Sequence, residues 1–218
     1  MMPLDQKTIL DAVKEAKEKG KGRNFTQSVE LIINLKDIDV KKPEGRIRER
    51  IELPHSLLGK TNKICVIASG ELALKARRAK ADIVMGRDEL NGLAGKKKEL
   101  RKLANEYDFF IAEAVLMSIV GKTLGSVLGP RGKMPVPVPP TADIARLIKG
   151  YRRTVALRTR NQPVVQCRVG TESMKEMEIT ENIQAVLGVV ERKLKRGIKN
   201  VSCTYVKTAM GKPVKIKP

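Results

Sequence analysis

Four glycines, two lysines, one arginine and two prolines fall within the nineteen residues Met117–Pro135, MSIVGKTLGSVLGPRGKMP, with apolar residues between them. Glycine permits close backbone approach and positive φ, and Pro130 and Pro135 cannot continue a helix. The run therefore predicts a helix breaking into a shaped, basic loop. Loops of this composition cradle phosphate, and G-x-x-x-x-G-K-[ST] is the specific pattern to test. Gly121-Lys122-Thr123 has the right ending, but Leu116 stands where the first glycine belongs. Gly132-Lys133 lacks both a glycine at Val127 and a hydroxyl at Met134. The dinucleotide fingerprint fails too, because Gly20-Lys21-Gly22 leads to Phe25 in place of a third glycine. Without those glycines the backbone amides cannot wrap a triphosphate.

Hydrolytic and metal chemistry is poorly supplied. His55 is the single histidine, set beside Pro54, and there is no Cys-x-x-Cys and no second imidazole for a zinc shell. Cys65, Cys167 and Cys203 sit in apolar or alternating runs and read as buried free thiols, which suits a reducing cytoplasm. No apolar run approaches the ~20 residues that cross a bilayer, and the polar start Asp5-Gln6-Lys7 is not a signal peptide. The expectation is a cytoplasmic, non-enzymatic chain without metal, cofactor, small-molecule substrate or membrane.

Charge points to the partner. Lys+Arg number 44 against Asp+Glu 24, a net of +20, in a chain of 218 residues. A surplus of this size repels itself unless a polyanion is nearby. Residues 61–150 hold 16 basic and 9 acidic residues, a net of +7, so the remaining +13 belongs to the two ends. Only six aromatic residues are present, and none is Trp. Proteins that hold unpaired bases use rows of exposed aromatics, so this chain is expected to read backbone, 2′-hydroxyls and the shape of a folded RNA.

The glycine-rich run closely resembles the signature of the large-subunit ribosomal protein L1 family in its archaeal form. It has the same spacing of Met117, Val120, Leu124 and Leu128 before Gly129-Pro130-Arg131-Gly132-Lys133-Met134-Pro135. Arg23–Glu30 (RNFTQSVE), Asn34-Leu35-Lys36, Gly170–Met174 (GTESM) and Met210-Gly211 also look like family landmarks, so the likeness spans essentially the whole chain. It implies a two-domain fold and a partner in large-subunit rRNA. It further implies a mobile stalk beside the tRNA exit site that contacts E-site tRNA, and repression through the protein's own mRNA leader. The free protein is expected to be a monomer.

Periodicity gives the elements that must position these residues. Ile9, Ala12, Val13 and Ala16 mark a helix over 5–19 stopped by Gly20, and Val29, Leu31, Ile33 and Leu35 mark a strand with Ser28, Glu30 and Asn34 on its other face. After the charged loop Lys41–Gly45, Ile47, Ile51 and Leu53 suggest a second strand. Ile64–Ala68, Glu71–Ala79 and Ala81–Met85 form a βαβ unit, followed by a helix Lys96–Tyr107, a strand Phe109–Val115 and a helix Thr141–Tyr151. Thr154–Arg158 and Val164–Val169 read as a hairpin turning at Asn161-Gln162-Pro163. Ser173 and Glu176 read as a capping box opening a helix that Gly197 ends. Val201, Cys203 and Tyr205 alternate in a closing strand.

Each end is too small to form a core alone, so the two should fold together. The predicted fold class is α/β with two domains. One is a discontinuous α+β domain from both termini, 1–60 and 154–218; the other is an inserted Rossmann-like α/β domain, 61–153. Two adjacent crossings make a hinge.

In the terminal domain the resemblance places the main rRNA site at Phe25, Ser28, Met210 and Gly211. Phe25 would lie against a ribose or base, Ser28 would bond a 2′-hydroxyl and Gly211 would admit close approach. Without the resemblance, Phe25 reads as a core residue at a strand entrance. Glu30, Gln166 and Thr208 are further candidates, and Arg23, Arg168 and Lys207 are candidate phosphate neighbours. The family usually has Thr immediately before Met-Gly, where this chain has Ala209. Lys122, Arg131 and Lys133 either make a secondary RNA contact or shape the inserted domain. The rival readings are a phosphate-handling enzyme using Gly121–Thr123 and a general DNA-compacting protein.

Overall fold

The computed structural model describes residues 5–42, 45–59 and 61–216. Pro43 and Glu44 of the charged loop, and Lys60 at the expected domain edge, lie outside the described residues. The chain divides into two compact units, Met1–Thr61 with Arg153–Pro218, and Asn62–Arg152. The first unit opens with α1 (Gln6–Gly20), β1 (Ser28–Leu35) and β2 (Arg48–Glu52). The second holds β3 (Ile64–Ile67), α2 (Gly70–Arg78), β4 (Ile83–Met85), α3 (Arg87–Gly92), α4 (Lys97–Glu106) and β5 (Phe109–Glu113). It continues through α5 (Met117–Thr123), α6 (Gly125–Arg131), β6 (Val136–Val138) and α7 (Ile144–Arg152). The first unit then resumes with β7 (Thr154–Arg158), β8 (Val164–Thr171), α8 (Glu176–Lys193), β9 (Val201–Thr208) and β10 (Val214–Ile216). The expected mixed α/β class is what the chain adopts.

In the first unit an antiparallel sheet of order β10-β9-β1-β8 buries one face only. Val29, Leu31, Ile33, Val165 and Val206 point from it into a core closed by Ile9, Val13 and Ala16 of α1 and by Ile179, Ile183, Val186 and Val190 of α8. Each fully buried aliphatic side chain contributes roughly 1.5–3 kcal/mol, so both helices are fixed to this face by their apolar stripes.

The hairpin expected between β7 and β8 does not form. β7 pairs instead with β2 as a separate two-stranded ribbon, from Arg48↔Arg158 to Glu52↔Thr154, and β8 pairs with β1. The apolar faces decide this: Ile51 and Leu53 of the β2 segment join Val155 and Leu157 of β7 in the same core. Thr159 extends that ladder, its N–H donating to Ile47 O at 3.0 Å and its Oγ1 accepting from Ile47 N at 3.0 Å.

The capping box falls two residues later than expected. The Glu178 carboxylate accepts the Lys175 N–H at 3.2 Å, while Ser173 Oγ pairs with Thr171 Oγ1 at 3.0 Å. The closing strand is inverted as well: a register shift beside Leu35 turns Thr204, Val206 and Thr208 inward and Cys203 and Tyr205 outward. Cys65 and Cys167 are buried as expected, whereas Cys203 is only half-buried.

The second unit is a fully parallel sheet of order β4-β3-β5-β6. Leu72 and Ala76 of α2 and Ile144 and Ile148 of α7 pack on Ile64, Val66 and Ile111 on one face. Leu90, Leu100, Ala104, Val120, Leu124 and Leu128 cover Cys65, Ile67, Phe110 and Ala112 on the other. Covering on both sides explains why β3 and β5 are apolar without alternation.

The glycine-rich run is not a loop here. It forms α5 and α6 in succession, because Val120, Leu124, Val127 and Leu128 recur at helical spacing and are buried. Pro130 sits in the last turn of α6, and Gly132 at φ +69° supplies the left-handed residue that ends it. Gly121-Lys122-Thr123 forms the end of α5, where Thr123 Oγ1 donates back to Ile119 O at 2.9 Å. Those amides are committed to a helix and make no phosphate cradle.

Candidate nucleic-acid interface

The face of the four-stranded sheet turned away from α1 and α8 carries the polar positions of three strands. Cross-strand register places Arg168, Glu30 and Lys207 in one row and Gln166, Ile32 and Tyr205 in the next. Two charges of one sign flank an acid in the first row. Lys207 Nζ donates to Ala209 O at 2.9 Å and lies 3.9 Å from a Glu30 carboxylate oxygen, which anchors it across β1 and β9. Gln166 is exposed, and Ser28, Glu30, Arg168 and Lys207 are half-buried.

Phe25 lies three residues ahead of β1, and Met210 follows β9 with its N–H bonded to Gln27, the residue before β1. Phe25 is 50 % exposed and Met210 61 %, so neither is a core residue, and the alternative reading of Phe25 as a core residue at a strand entrance does not hold. Arg23 is exposed beside them in sequence. Apolar side chains this open are worth an explanation when they cluster with cations.

Gln27, two residues after Phe25, is fully buried and fixes the Met210 backbone. Its Nε2 donates to Gly20 O at 2.6 Å and to Glu172 at 3.3 Å, and its Oε1 accepts the Met210 N–H at 3.0 Å. Its own carbonyl accepts the Glu172 N–H at 3.0 Å. One amide side chain thus ties the end of α1, the turn after β9 and the segment after β8 to β1. Ala209 N donates to Ser28 O at 2.9 Å, which pins the same turn against the strand.

Thr208 is the one candidate that the geometry removes from this surface. It is fully buried on the inner face, its Oγ1 without a hydrogen-bond partner among the described residues, under Gly20 and Gly211. A Cβ on Gly211 would stand 2.3 Å from that oxygen, so glycine is needed there for internal close approach. Thr208 therefore cannot supply a hydroxyl in place of the one Ala209 lacks.

In the second unit Lys122 is exposed, and Arg131 donates to Val127 O at 3.3 Å within α6. Lys133 is used internally: its Nζ donates to Ala104 O at 3.0 Å and Tyr107 O at 2.7 Å, capping the carbonyl end of α4. Burial pushes its pKa down. Of the two roles the sequence left open for these residues, a secondary RNA contact or shaping of this unit, the bonds of Lys133 support the second for that residue. The buried Glu113 is equally internal, accepting from Ser69 N at 2.9 Å and Ser69 Oγ at 2.7 Å to hold the start of α2. Among the described residues no group of three or more His, Cys, Asp or Glu is arranged to hold a metal ion, and no helix is long and apolar enough to cross a membrane.

Sequence reasoning missed Gln27, Glu172 and Tyr205. Gln27 precedes an alternating strand, and its parity with Val29 and Leu31 was the available signal that it points inward.

The family model for the ribosomal protein L1p/L10e family matches residues 13–212. The large ribosomal subunit protein uL1 of Methanothermobacter thermautotrophicus is 50% identical over 211 residues, covering 97% of this chain and 99% of that protein. The namesake from Pyrococcus abyssi is 50% identical over 217 residues, covering 99% and 98%. That of Methanocaldococcus jannaschii is 46% identical over 214 residues, covering 98% and 97%. Matched from near its first helix to the turn that carries Met210, and over almost the full length of such relatives, the chain belongs to the ribosomal protein L1p/L10e family.

Proposed function

We propose that this chain is a structural, non-enzymatic component of the large ribosomal subunit in the cytoplasm. It grips a folded segment of large-subunit rRNA through the open sheet face and the Phe25–Met210 end of its first unit. The observation that carries the reading is the exposure of two large apolar side chains, Phe25 just ahead of β1 and Met210 just after β9, on the strands that carry the Arg168–Glu30–Lys207 row, with buried Gln27 bonded to the Met210 amide. Cations position the phosphates, while Phe25, Ser28 and the backbone at Gly211 read ribose and shape.

The two compact units act as domains joined at the chain crossings near 55–62 and 151–154, forming a mobile stalk beside the tRNA exit site that aids release of deacylated tRNA. The same RNA-shaped surface binds a similar structure in the protein's own mRNA leader and represses its translation. The free protein is a monomer. Hydroxyl-radical footprinting of large-subunit rRNA with wild type and Phe25→Ala tests the reading. A compact footprint that Phe25→Ala erases supports it, and an unchanged footprint rejects the assignment. Preference for duplex DNA over structured RNA at physiological salt would favour the DNA-compaction alternative.

A further inference from the structure

In the second unit α2 and α7 lie beside each other on one face of the parallel sheet, held there by Leu72, Ala76, Ile144 and Ile148. Their outer surfaces do not close together. A cavity of about 490 Å³ opens between the last turns of α2 and the start of α7, lined by Lys75, Arg78 and Ala79 on one side and by Thr141, Ala142 and Ala145 on the other. Alanine at 79, 142 and 145 leaves its floor apolar and unfilled, and the volume falls in the range of roughly 300–1,000 Å³ typical of ligand pockets.

The rim is cationic. Arg77, Arg78, Lys80, Arg146 and Lys149 are exposed, and their side chains have no hydrogen bond or ion pair among the described residues. Lys149 stands one turn past Ala145 on the same face of α7, so cations bound the cavity on both helices. The acids at this groove are already engaged. Glu71 pairs with Lys75 at 2.8 Å, and an Asp143 carboxylate oxygen accepts the Arg146 N–H at 3.1 Å, holding the start of α7. Leu74, one turn before Arg78, is 54 % exposed and adds an apolar side chain to the same surface. Such a groove matches an acidic protein segment better than a nucleic acid. A phosphate backbone is recognised by charge and leaves an apolar cavity unused. Protein interfaces instead seat an apolar side chain in a pocket within a polar rim, and guanidinium forks pair with carboxylates bidentately.

We propose that the α2–α7 groove is a protein-docking site for an acidic segment of a partner. One apolar side chain of that segment enters the cavity, and carboxylates on either side of it meet Arg78 and Lys149. The groove lies wholly in the second unit and is independent of the rRNA contact proposed for the first.

The test uses the full chain and a labelled glutamate peptide with one central leucine, read by fluorescence anisotropy. Replacing that leucine by alanine should weaken binding about tenfold, because burial of the leucine side chain is lost. Arg78→Glu/Lys149→Glu should weaken it about tenfold or more and the milder Arg78→Gln/Lys149→Gln about threefold, with the melting temperature held because both residues are exposed. Ala145→Phe, which fills the cavity, should leave the leucine and alanine peptides equal in affinity. Backbone amide shifts on titration should fall on residues 74–80 and 141–149. Equal binding of the two peptides by wild type overturns the proposal, as does undiminished binding by both charge variants. Amide shifts confined to the first unit would show a general response to its charge and also overturn it. A labelled RNA duplex that displaces the peptide and is itself lost to Arg78→Glu/Lys149→Glu would make the groove a nucleic-acid site and reject the docking assignment.

Discussion

Gly20 ends α1 and Gly211 lies in the turn after β9, and both sit over the buried Thr208. A Cβ on Gly20 would approach Thr208 Oγ1 to 2.2 Å and its Cβ and Cγ2 to 3.0 Å, distances at which something must move. Thr208 has no open side into which to rotate, being fully buried and held opposite Val29 in the ladder. In a helix interior, alanine would be favoured over glycine by about 1 kcal/mol, but overpacking a filled core costs about 1–3 kcal/mol. Gly20 is the last residue of α1, where little of that helix-interior gain applies, so Gly20→Ala should destabilise the first unit by about 1–3 kcal/mol. Thr208→Ala deletes the obstructing oxygen and methyl. It loses about 1 kcal/mol of burial but also removes a hydroxyl that has no partner, so alone it should be close to neutral. Combining the two relieves most of the clash, giving a favourable coupling of about 1–2 kcal/mol in a double-mutant cycle. Native-state hydrogen exchange at the β1 and β9 amides reads the stability of this unit directly. The reasoning is refuted if Gly20→Ala is as stable as wild type, or if the two substitutions add without coupling.

Ala209→Thr supplies the hydroxyl that the resemblance to the L1 family implies before Met-Gly and should tighten rRNA binding by about 1–3 kcal/mol, measured by filter binding; equal affinities mean that position is not a contact. Lys133→Met should destabilise the second unit by about 1–2 kcal/mol in urea unfolding while leaving the salt slope of RNA binding unchanged. A shallower slope with unchanged stability would reverse that assignment. Alkylation by iodoacetamide near neutral pH should reach Cys203 first: burial raises its pKa, but the hydrogen bonds from Asn34, Tyr205 and Ser202 outweigh it and leave it lowered. Cys65 and Cys167, pushed up to about 12 by burial, should react only on unfolding, as mass spectrometry would record. The hydrogen bond from Lys17 at 2.7 Å, with the backbone N–H of Glu176 itself, holds the Glu176 carboxyl below its usual value of 4.5. Such a depressed pKa stabilises the fold above 4.5 and is lost as pH falls through the folded value. The stability advantage of wild type over Glu176→Gln should then be constant near neutrality and close on acidification, and a gap that widens would contradict it.

The elements were legible in the sequence wherever one force acted alone. α1 and β1 follow from their apolar periods, and β3 and β5 from short uninterrupted apolar runs. The failures occur where two signals compete. Pro163 and its neighbours look like a hairpin turn, yet the inward faces of β2 and β7 match each other better than β7 matches β8, and burial outweighs proximity in sequence. In the glycine-rich run, composition suggested a loop while Val120, Leu124, Val127 and Leu128 kept helical time, and the period won. The turn of parity at β9 was invisible because a single extra residue beside Leu35 does it, and nothing in the local composition marks a bulge.

The same bulge decides what the candidate site can be. If β9 alternated as its sequence suggested, with Val201, Cys203 and Tyr205 inward, Lys207 would follow them into the core and Thr208 would reach solvent. The shift instead presents Tyr205 and Lys207 on the open face, and it buries Thr208 where only glycines at 20 and 211 leave room. Core packing and surface chemistry are thus set by one register, and Gln27 locks it by holding the Met210 amide and the end of α1 at once. A substitution at Gln27 that preserves its volume but not its amide, such as Gln27→Met, would leave buried Gly20 O and the Met210 N–H without their partner. It should therefore loosen the Met210 turn and the end of α1 together, seen as faster hydrogen exchange of the Met210 amide, and unchanged exchange there would refute the lock.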